Sequence, residues 1–173
     1  MPGPVFLEGE RVELRTVESE DLPFVRRTLS DPGVWRTLDR VRPMDGPASE
    51  RWLERHSEDD GVLDLLVVDD DPVGLVSLRA RNEAWGLSSL HFWVAPDEQG
   101  AGYATDAAGT VVDYAFDQRR RHKLIAHVFE GNEASCRLLA GLGFDREGVH
   151  REEVYVDGSF RDLYTYGLLA EEW

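Results

Sequence analysis

The 173-residue chain carries a single cysteine, Cys136, and a single lysine, Lys123. One thiol excludes an intrachain disulfide framework and suits a reducing compartment. No apolar run approaches the roughly 18 residues of a membrane span. The opening Met1-Pro-Gly-Pro-Val-Phe-Leu-Glu8 lacks the basic n-region and the apolar h-region of a secretory signal, so the expected location is the cytoplasm. Positive charge is scarce too: 19 Lys and Arg stand against 34 Asp and Glu, a net charge of -15. Such a surface repels phosphate backbones and anionic lipid, which excludes nucleic acid and membrane surfaces as partners. Acid excess with almost no lysine is what a salt-rich cytoplasm favours. Carboxylates hold water and ions, and at molar salt a Debye length of about 3 Å screens their repulsion. GC-rich codon usage, which replaces Lys by Arg, is the alternative source of the bias.

Apolar residues make up 42% of the chain, enough for one sizeable core, and no linker or repeat divides it, so residues 1–173 read as one domain. Residues 9–16 alternate Val12 and Leu14 with charges, the period of a half-buried strand. Ser19-Glu-Asp-Leu-Pro offers a helix start, with Leu22, Val25 and Leu29 at helical spacing behind it. A short helix or loop is expected over 33–47 and a helix over 48–57, with Trp35 and Trp52 as core. Strands follow at 63–68, 73–81 and 87–94, then a helix over 103–118, a strand over 124–129 and a helix over 132–142 closed by Gly143. Two last strands, 148–156 and 161–169, meet at the hairpin signal Asp157-Gly158. The order β, α, α, β, β, β, α, β, α, β, β predicts an α/β (α+β) domain with a mixed sheet.

The most informative stretch is Leu90 to Ala107, where a strand runs through a glycine-bearing turn into a helix. That arrangement aims free backbone N–H groups and the positive end of a helix dipole at one spot, which suits phosphate. A P-loop needs Gly-Lys-Ser/Thr, and the turn has no lysine. A dinucleotide fingerprint needs a third glycine where Thr105 stands, in the first βαβ unit rather than past the middle of the chain. What remains is a Gln/Arg-x-x-Gly-x-Gly/Ala loop, matched by Gln99-Gly-Ala-Gly102-Tyr-Ala104.

With that loop the chain resembles the GNAT superfamily of acyl-CoA-dependent N-acetyltransferases, and within it the Rim-type branch (RimJ/RimL) that acetylates ribosomal proteins and other protein N-termini. The order of elements matches over nearly the whole chain. Separate marks are Leu14-Arg15 with Glu20-Asp21, Pro96, Gly102-Tyr-Ala-Thr-Asp-Ala107, Asn132-x-x-Ser135, Leu142-Gly-Phe144 with Glu147-Gly148, and Asp157-Gly158 with Asp162 and Glu172-Trp173.

The resemblance implies a mostly antiparallel sheet flanked by about four helices, with a V-shaped gap between the fourth strand, ending at Val94, and the fifth, at 124–129. The cosubstrate would be acetyl-CoA, with no metal. Its pantetheine arm would pair with the backbone of Phe92, Trp93 and Val94. Its pyrophosphate would sit on the amides of Gln99, Gly100, Ala101, Gly102, Tyr103, Ala104 and Thr105, where the dipole argument also leads. Asn132 matches a residue that touches the cofactor and is also placed to cap its helix. Ser135 matches a position near the thiol, suited to protonating the departing thiolate. Many members place a tyrosine acid where Leu139 stands here, and a glutamate base where Ser88 or Ser89 stands. His91 is then the candidate base, with Glu130 and Glu83 as further candidates. The backbone N–H near Val94 is the natural oxyanion donor. The basic cluster Arg119–Lys123 suits the C-terminal dipole of the preceding helix, or else the 3′-phosphate of CoA. The expected activity is direct acetyl transfer to an amine, a protein N-terminus or a small molecule, with acceptor choice in loops 30–60 and the final hairpin. A CoA-binding sensor that has lost catalysis is the alternative, motivated by the missing glutamate and tyrosine. Members of the branch often dimerise, so a homodimer is a further expectation.

Overall fold

A computed structural model describes residues 3–38 and 42–173. Its centre is an eight-stranded sheet of β1 (Val5–Glu8), β2 (Glu13–Thr16), β3 (Val62–Asp69), β4 (Asp71–Asn82), β5 (Leu87–Val94), β6 (Lys123–Phe129), β7 (Asp145–Val156) and β8 (Ser159–Leu169), in the order β1-β2-β3-β4-β5-β6-β8-β7. Every neighbouring pair is antiparallel except β5 and β6. The helices are α1 (Leu22–Leu29), α2 (Pro32–Trp35), α3 (Gly46–Glu58), α4 (Tyr103–Asp117) and α5 (Glu133–Gly141), with 3-10 turns at Ser19–Asp21 and Pro96–Glu98.

Alternation along the strands divides the core in two. Leu65, Val76, Leu78 and Leu90 face Ala107, Ala108, Val111 and Val112 of α4 and Leu139 of α5, and these side chains form the larger cluster. Leu66 and Val68 point the other way, onto Phe24, Val25 and Leu29 of α1, with Val34 and Met44 beside them. The helical spacing of Leu22, Val25 and Leu29 thus becomes the buried face of α1.

Several expectations need correction. Residues 9–16 are not one strand: Gly9 N–H donates to Val12 C=O at 2.8 Å and turns the chain between β1 and β2. The exposed β1, with little apolar alternation, was not expected at all. The gap lies where expected, between the strand ending at Val94 and that over 124–129, which become the fifth and sixth once β1 is counted, and five helices among the described residues stand against the expected four or so. Part of the stretch expected as helix or loop over 33–47, residues 39–41, lies outside the described residues. Trp52 packs at the edge of the smaller cluster, whereas Trp35 is only half buried and its ring lies under the Arg36 guanidinium at 5.3 Å.

The parallel pairing of β5 with β6 is confined to Leu87, Ser88 and Ser89 opposite Lys123, Leu124 and Ile125, while the strands run on to Val94 and Phe129. Beyond the pairing they diverge, and this opening positions the site.

Candidate active site

The divergence opens a cleft of about 830 Å³. Its walls are β5, β6, the turn at 98–105, the start of α5, the α2 segment at 33–38 and the hairpin tip at 156–157. Of the residues expected at the site, His91, Phe92, Trp93, Val94, Gln99, Gly100, Gly102, Tyr103, Ala104, Thr105, Asn132 and Ser135 all line it. Ala101 is exposed and outside the lining.

The free strand edge comes first. Ala95 N–H donates to Val73 C=O at 2.8 Å, so by strand alternation the N–H and C=O groups of Val94 and Phe92 turn toward the opening. The Gln99 amide nitrogen donates to Val94 C=O at 3.1 Å. Gln99 therefore locks the strand end to the turn and leaves the Val94 N–H as the donor facing the cleft.

The turn comes next. Gly100 and Gly102 have φ of +85° and +89°, the left-handed region that side-chain-bearing residues avoid. Gly102 stands at the N-cap of α4, and no side chain caps that helix. The first N–H groups of a helix have no intrahelical partner, so those of Tyr103, Ala104 and Thr105 are left to the cleft. Asp106 N–H closes the first turn on Gly102 C=O at 3.1 Å. The Tyr103 hydroxyl donates to Asp69 Oδ2 at 2.5 Å, which fixes this end of α4 to the β3–β4 hairpin and raises the phenol pKa. Such an arrangement of backbone groups, a cradle, suits an anion.

Across the opening, Asn132 caps α5, its side-chain oxygen accepting from Ser135 N–H at 3.2 Å. This cap holds the first turn of α5, and with it Ser135, against the cleft. Leu139 is fully buried and lines the floor.

His91 opens to water through the cleft, but protein crowds the rest of its ring. Burial first, then the Arg79 guanidinium, hold its pKa down at about 4, so the imidazole is neutral at neutral pH. Its Nε2 lies 2.9 Å from Ser89 Oγ. The pairings Asp64↔Ser77 and Ser77↔His91 set these three side chains in one row across β3, β4 and β5. Asp64 is committed elsewhere: Ser77 Oγ donates to it, and it faces His56 Nδ1 and, at 3.8 Å, Arg79. His127 lines the opposite wall, its pKa also lowered, by burial and then by Arg81.

Position removes Glu83 as a base and sets the basic cluster where the dipole of α4 calls for it. Glu83 is outside the cleft lining, its carboxylate taken by the two terminal guanidinium nitrogens of Arg121 at 2.6 and 2.8 Å. The basic cluster stands at the C-terminal end of α4, about 22 Å along the 15-residue helix from the cradle. There Arg119 donates to Asp60 C=O at 3.4 Å and Lys123 to Glu147 at 2.6 and 2.7 Å. Glu130 does line the cleft, its Oε2 accepting from Asp162 N–H at 3.2 Å.

The mouth opposite the cradle contains residues not singled out from sequence. Arg36 Nε pairs with Asp157 Oδ1 at 2.9 Å, a clasp between the α2 segment and the β7–β8 hairpin. Arg161 and Arg137 also line the cleft. The hairpin signal at Asp157-Gly158 located the tip, but only the fold brings it against a residue about 120 positions earlier. Among the described residues no group of three or more His, Cys, Asp or Glu gathers as a metal site, and no helix is long and apolar enough to cross a membrane.

Comparison with known proteins agrees with this geometry. The family profile described as acetyltransferase (GNAT) domain matches residues 11–145. Spermidine N(1)-acetyltransferase of Escherichia coli (strain K12) is 29% identical over 166 residues, covering 92% of this chain and 89% of the relative. Mycobacterium smegmatis RimJ, solved in complex with CoA-disulfide, superposes with a TM-score of 0.84 at 25% identity, covering 99% of this chain and 88% of that one. Spermidine N-acetyltransferase from Vibrio cholerae, solved in complex with CoA and spermine, has the same fold, with a TM-score of 0.88 at 24% identity over 94% of this chain and 97% of that one. A V-shaped opening beside an amide cradle, in a chain matched over most of its length by these enzymes, places it in the GNAT acetyltransferase family as an acetyl-CoA-dependent N-acetyltransferase.

Proposed function

We propose that the chain acetylates the α-amino group of a protein or peptide N-terminus, by direct attack in a ternary complex with acetyl-CoA. The observation that carries this is the weakness of the base. The cleft offers a neutral imidazole with a pKa of about 4 and the Glu130 carboxylate, one oxygen of which already accepts from Asp162 N–H, and the buried carboxylate in the imidazole's row is committed to other partners. Such a site needs an acceptor that arrives partly deprotonated. An α-amine of pKa about 7.8 is roughly one-third neutral at pH 7.5, whereas an alkylamine near 10.4 is neutral only about once in a thousand. Once the C–N bond forms, the nitrogen becomes strongly acidic, and His91 takes its proton through water.

The charge of the cleft supports the same choice. Arg36, Arg137 and Arg161 stand against Glu98, Glu130 and Asp157, a balance unlike the acid excess that would hold a polycation. The cradle from Gln99 to Thr105 is suited to the pyrophosphate, the free edge at Phe92–Val94 to the pantetheine arm, and Asn132 to its flank. The Val94 N–H stabilises the developing oxyanion as the C–S bond breaks, and the Ser135 hydroxyl relays a proton to the leaving thiolate while being reprotonated by water, into which His91 releases the proton it took from nitrogen. A second reading, a polyamine acceptor, is favoured by the names of the spermidine acetyltransferase relatives.

The test is release of free thiol from acetyl-CoA across a panel holding a peptide with a free N-terminus, the same peptide blocked, and spermidine. Turnover that needs the free N-terminus is expected. Turnover on spermidine alone overturns the reading in favour of the second. A cytoplasmic, salt-adapted role, whether as monomer or homodimer, fits the composition and belongs to the same proposal.

A further inference from the structure

The cradle offers phosphate only amides, and the basic cluster Arg119–Lys123 lies at the far end of α4. The cation that stands beside the cradle is Arg11, in the turn between β1 and β2. Were Gly102 to carry a Cβ, the Cδ and Nε of Arg11 would lie 3.9 Å from it. The turn that carries Arg11 is tethered to α4 itself. The Asp106 carboxylate, in the first turn of that helix, accepts the N–H groups of Glu10 at 3.0 Å, Arg11 at 2.7 Å and Val12 at 3.0 Å. Gly9 permits this approach, since a Cβ there would come within 2.5 Å of Asp106 Oδ2. Three amides on one carboxylate absorb much of its charge. The Arg11 side chain is exposed and has no ion-pair partner among the described residues, in a chain with 34 acids.

We propose that Arg11 is a cofactor-binding residue: its guanidinium closes over Gly102 and binds the pyrophosphate of acetyl-CoA, while Asp106 holds the turn in place. This rests on the cradle being the pyrophosphate site. It supplies the positive charge that the lysine-free turn lacks, and it brings it from the other end of the chain.

The test is steady-state kinetics with a saturating acceptor peptide and two donors, acetyl-CoA and S-acetylpantetheine, which has no phosphate. R11Q is expected to raise KM for acetyl-CoA about ten-fold, with kcat within about two-fold and KM for S-acetylpantetheine unchanged. R11K recovers most of the loss. R11M keeps the aliphatic stem against Gly102 and reads the charge alone if R11Q does not fold. An unchanged KM for acetyl-CoA in R11Q and R11M, or an equal rise for both donors, overturns the inference. The G102V variant separates the two levels. Native turnover with donor KM lost in G102V but not in R11Q sinks Arg11 alone. A G102V protein with native donor KM sinks the cradle as the pyrophosphate site.

Discussion

The two ends of the cleft are built on different principles. The cradle end is one continuous segment, from Phe92 to Thr105, which offers backbone N–H groups set by two left-handed glycines and an uncapped helix start, with Arg11 the one side chain proposed to join them. The mouth is assembled from side chains that meet only in the fold: Arg36 after α2, His91 on β5, Asp157 and Arg161 on the last hairpin. Backbone geometry tolerates few substitutions at glycine and nearly any elsewhere. A side-chain mouth tolerates small changes everywhere and can be retuned for a new acceptor. In the proposed function, the common half of the reaction, holding acetyl-CoA, rests on the backbone end, and choice of acceptor on the side-chain end.

This contrast predicts how each end fails. The largest effect is expected from G102V: valine at φ +89° is strained and its side chain occupies the face where phosphate must approach, so KM for acetyl-CoA should rise about 100-fold or more. An isothermal titration with CoA checks it, and near-native affinity would mean the turn is not the cradle. His91→Gln comes next. It should lower kcat at pH 7.5 by about 100-fold and leave donor KM alone, and a kcat equal to native would remove His91 from the mechanism.

The same variant carries a pH signature. The native His91 pKa of about 4 is below the ordinary value of 6.5, so between those limits the unfolded chain binds the more protons. Folded stability is then whole above 6.5 and falls as the pH drops toward 4. Urea melts across that window should be flatter for H91Q than for native protein; identical slopes would show the ring is not held neutral by the fold.

Asp157→Asn should have a smaller effect. It removes one charge of a half-exposed pair, worth about 0–1 kcal/mol. We expect a several-fold change in acceptor KM with donor KM constant. A change in donor KM instead would mean the clasp governs the whole cleft rather than its mouth. The smallest effect per residue is spread over the surface: the melting temperature should rise, and donor KM fall, between 0.1 and 3 M KCl as the net charge of -15 is screened.

The difference between the ends also explains what could be read in advance. Gln99-Gly-Ala-Gly102 after a strand and before a helix is local, and local spacing carries its own geometry. The N-cap role of Asn132 was legible for the same reason: cap and partner are three residues apart. Val5–Glu8 was missed because an edge strand of four residues has one paired side and no alternating burial to betray it. Glu83 was misjudged as a base because distance along the chain from the strand says nothing of which end of the sheet it reaches, and Arg121 had already claimed it there. Arg11 carried no signal at all, since its neighbour Gly102 lies about 90 residues away.

From the residues alone came the order of strands and helices apart from β1, and a turn suited to phosphate, because hydrophobic period, glycine and helix-start chemistry act over a few residues; acetyl-CoA as cosubstrate came only with the family resemblance. Tertiary structure alone decided where β5 and β6 part, that His91 is neutral, and which charges face each other across the mouth. Those depend on through-space distance and burial, which a sheet pairing segments about 40 residues apart sets and no local pattern encodes.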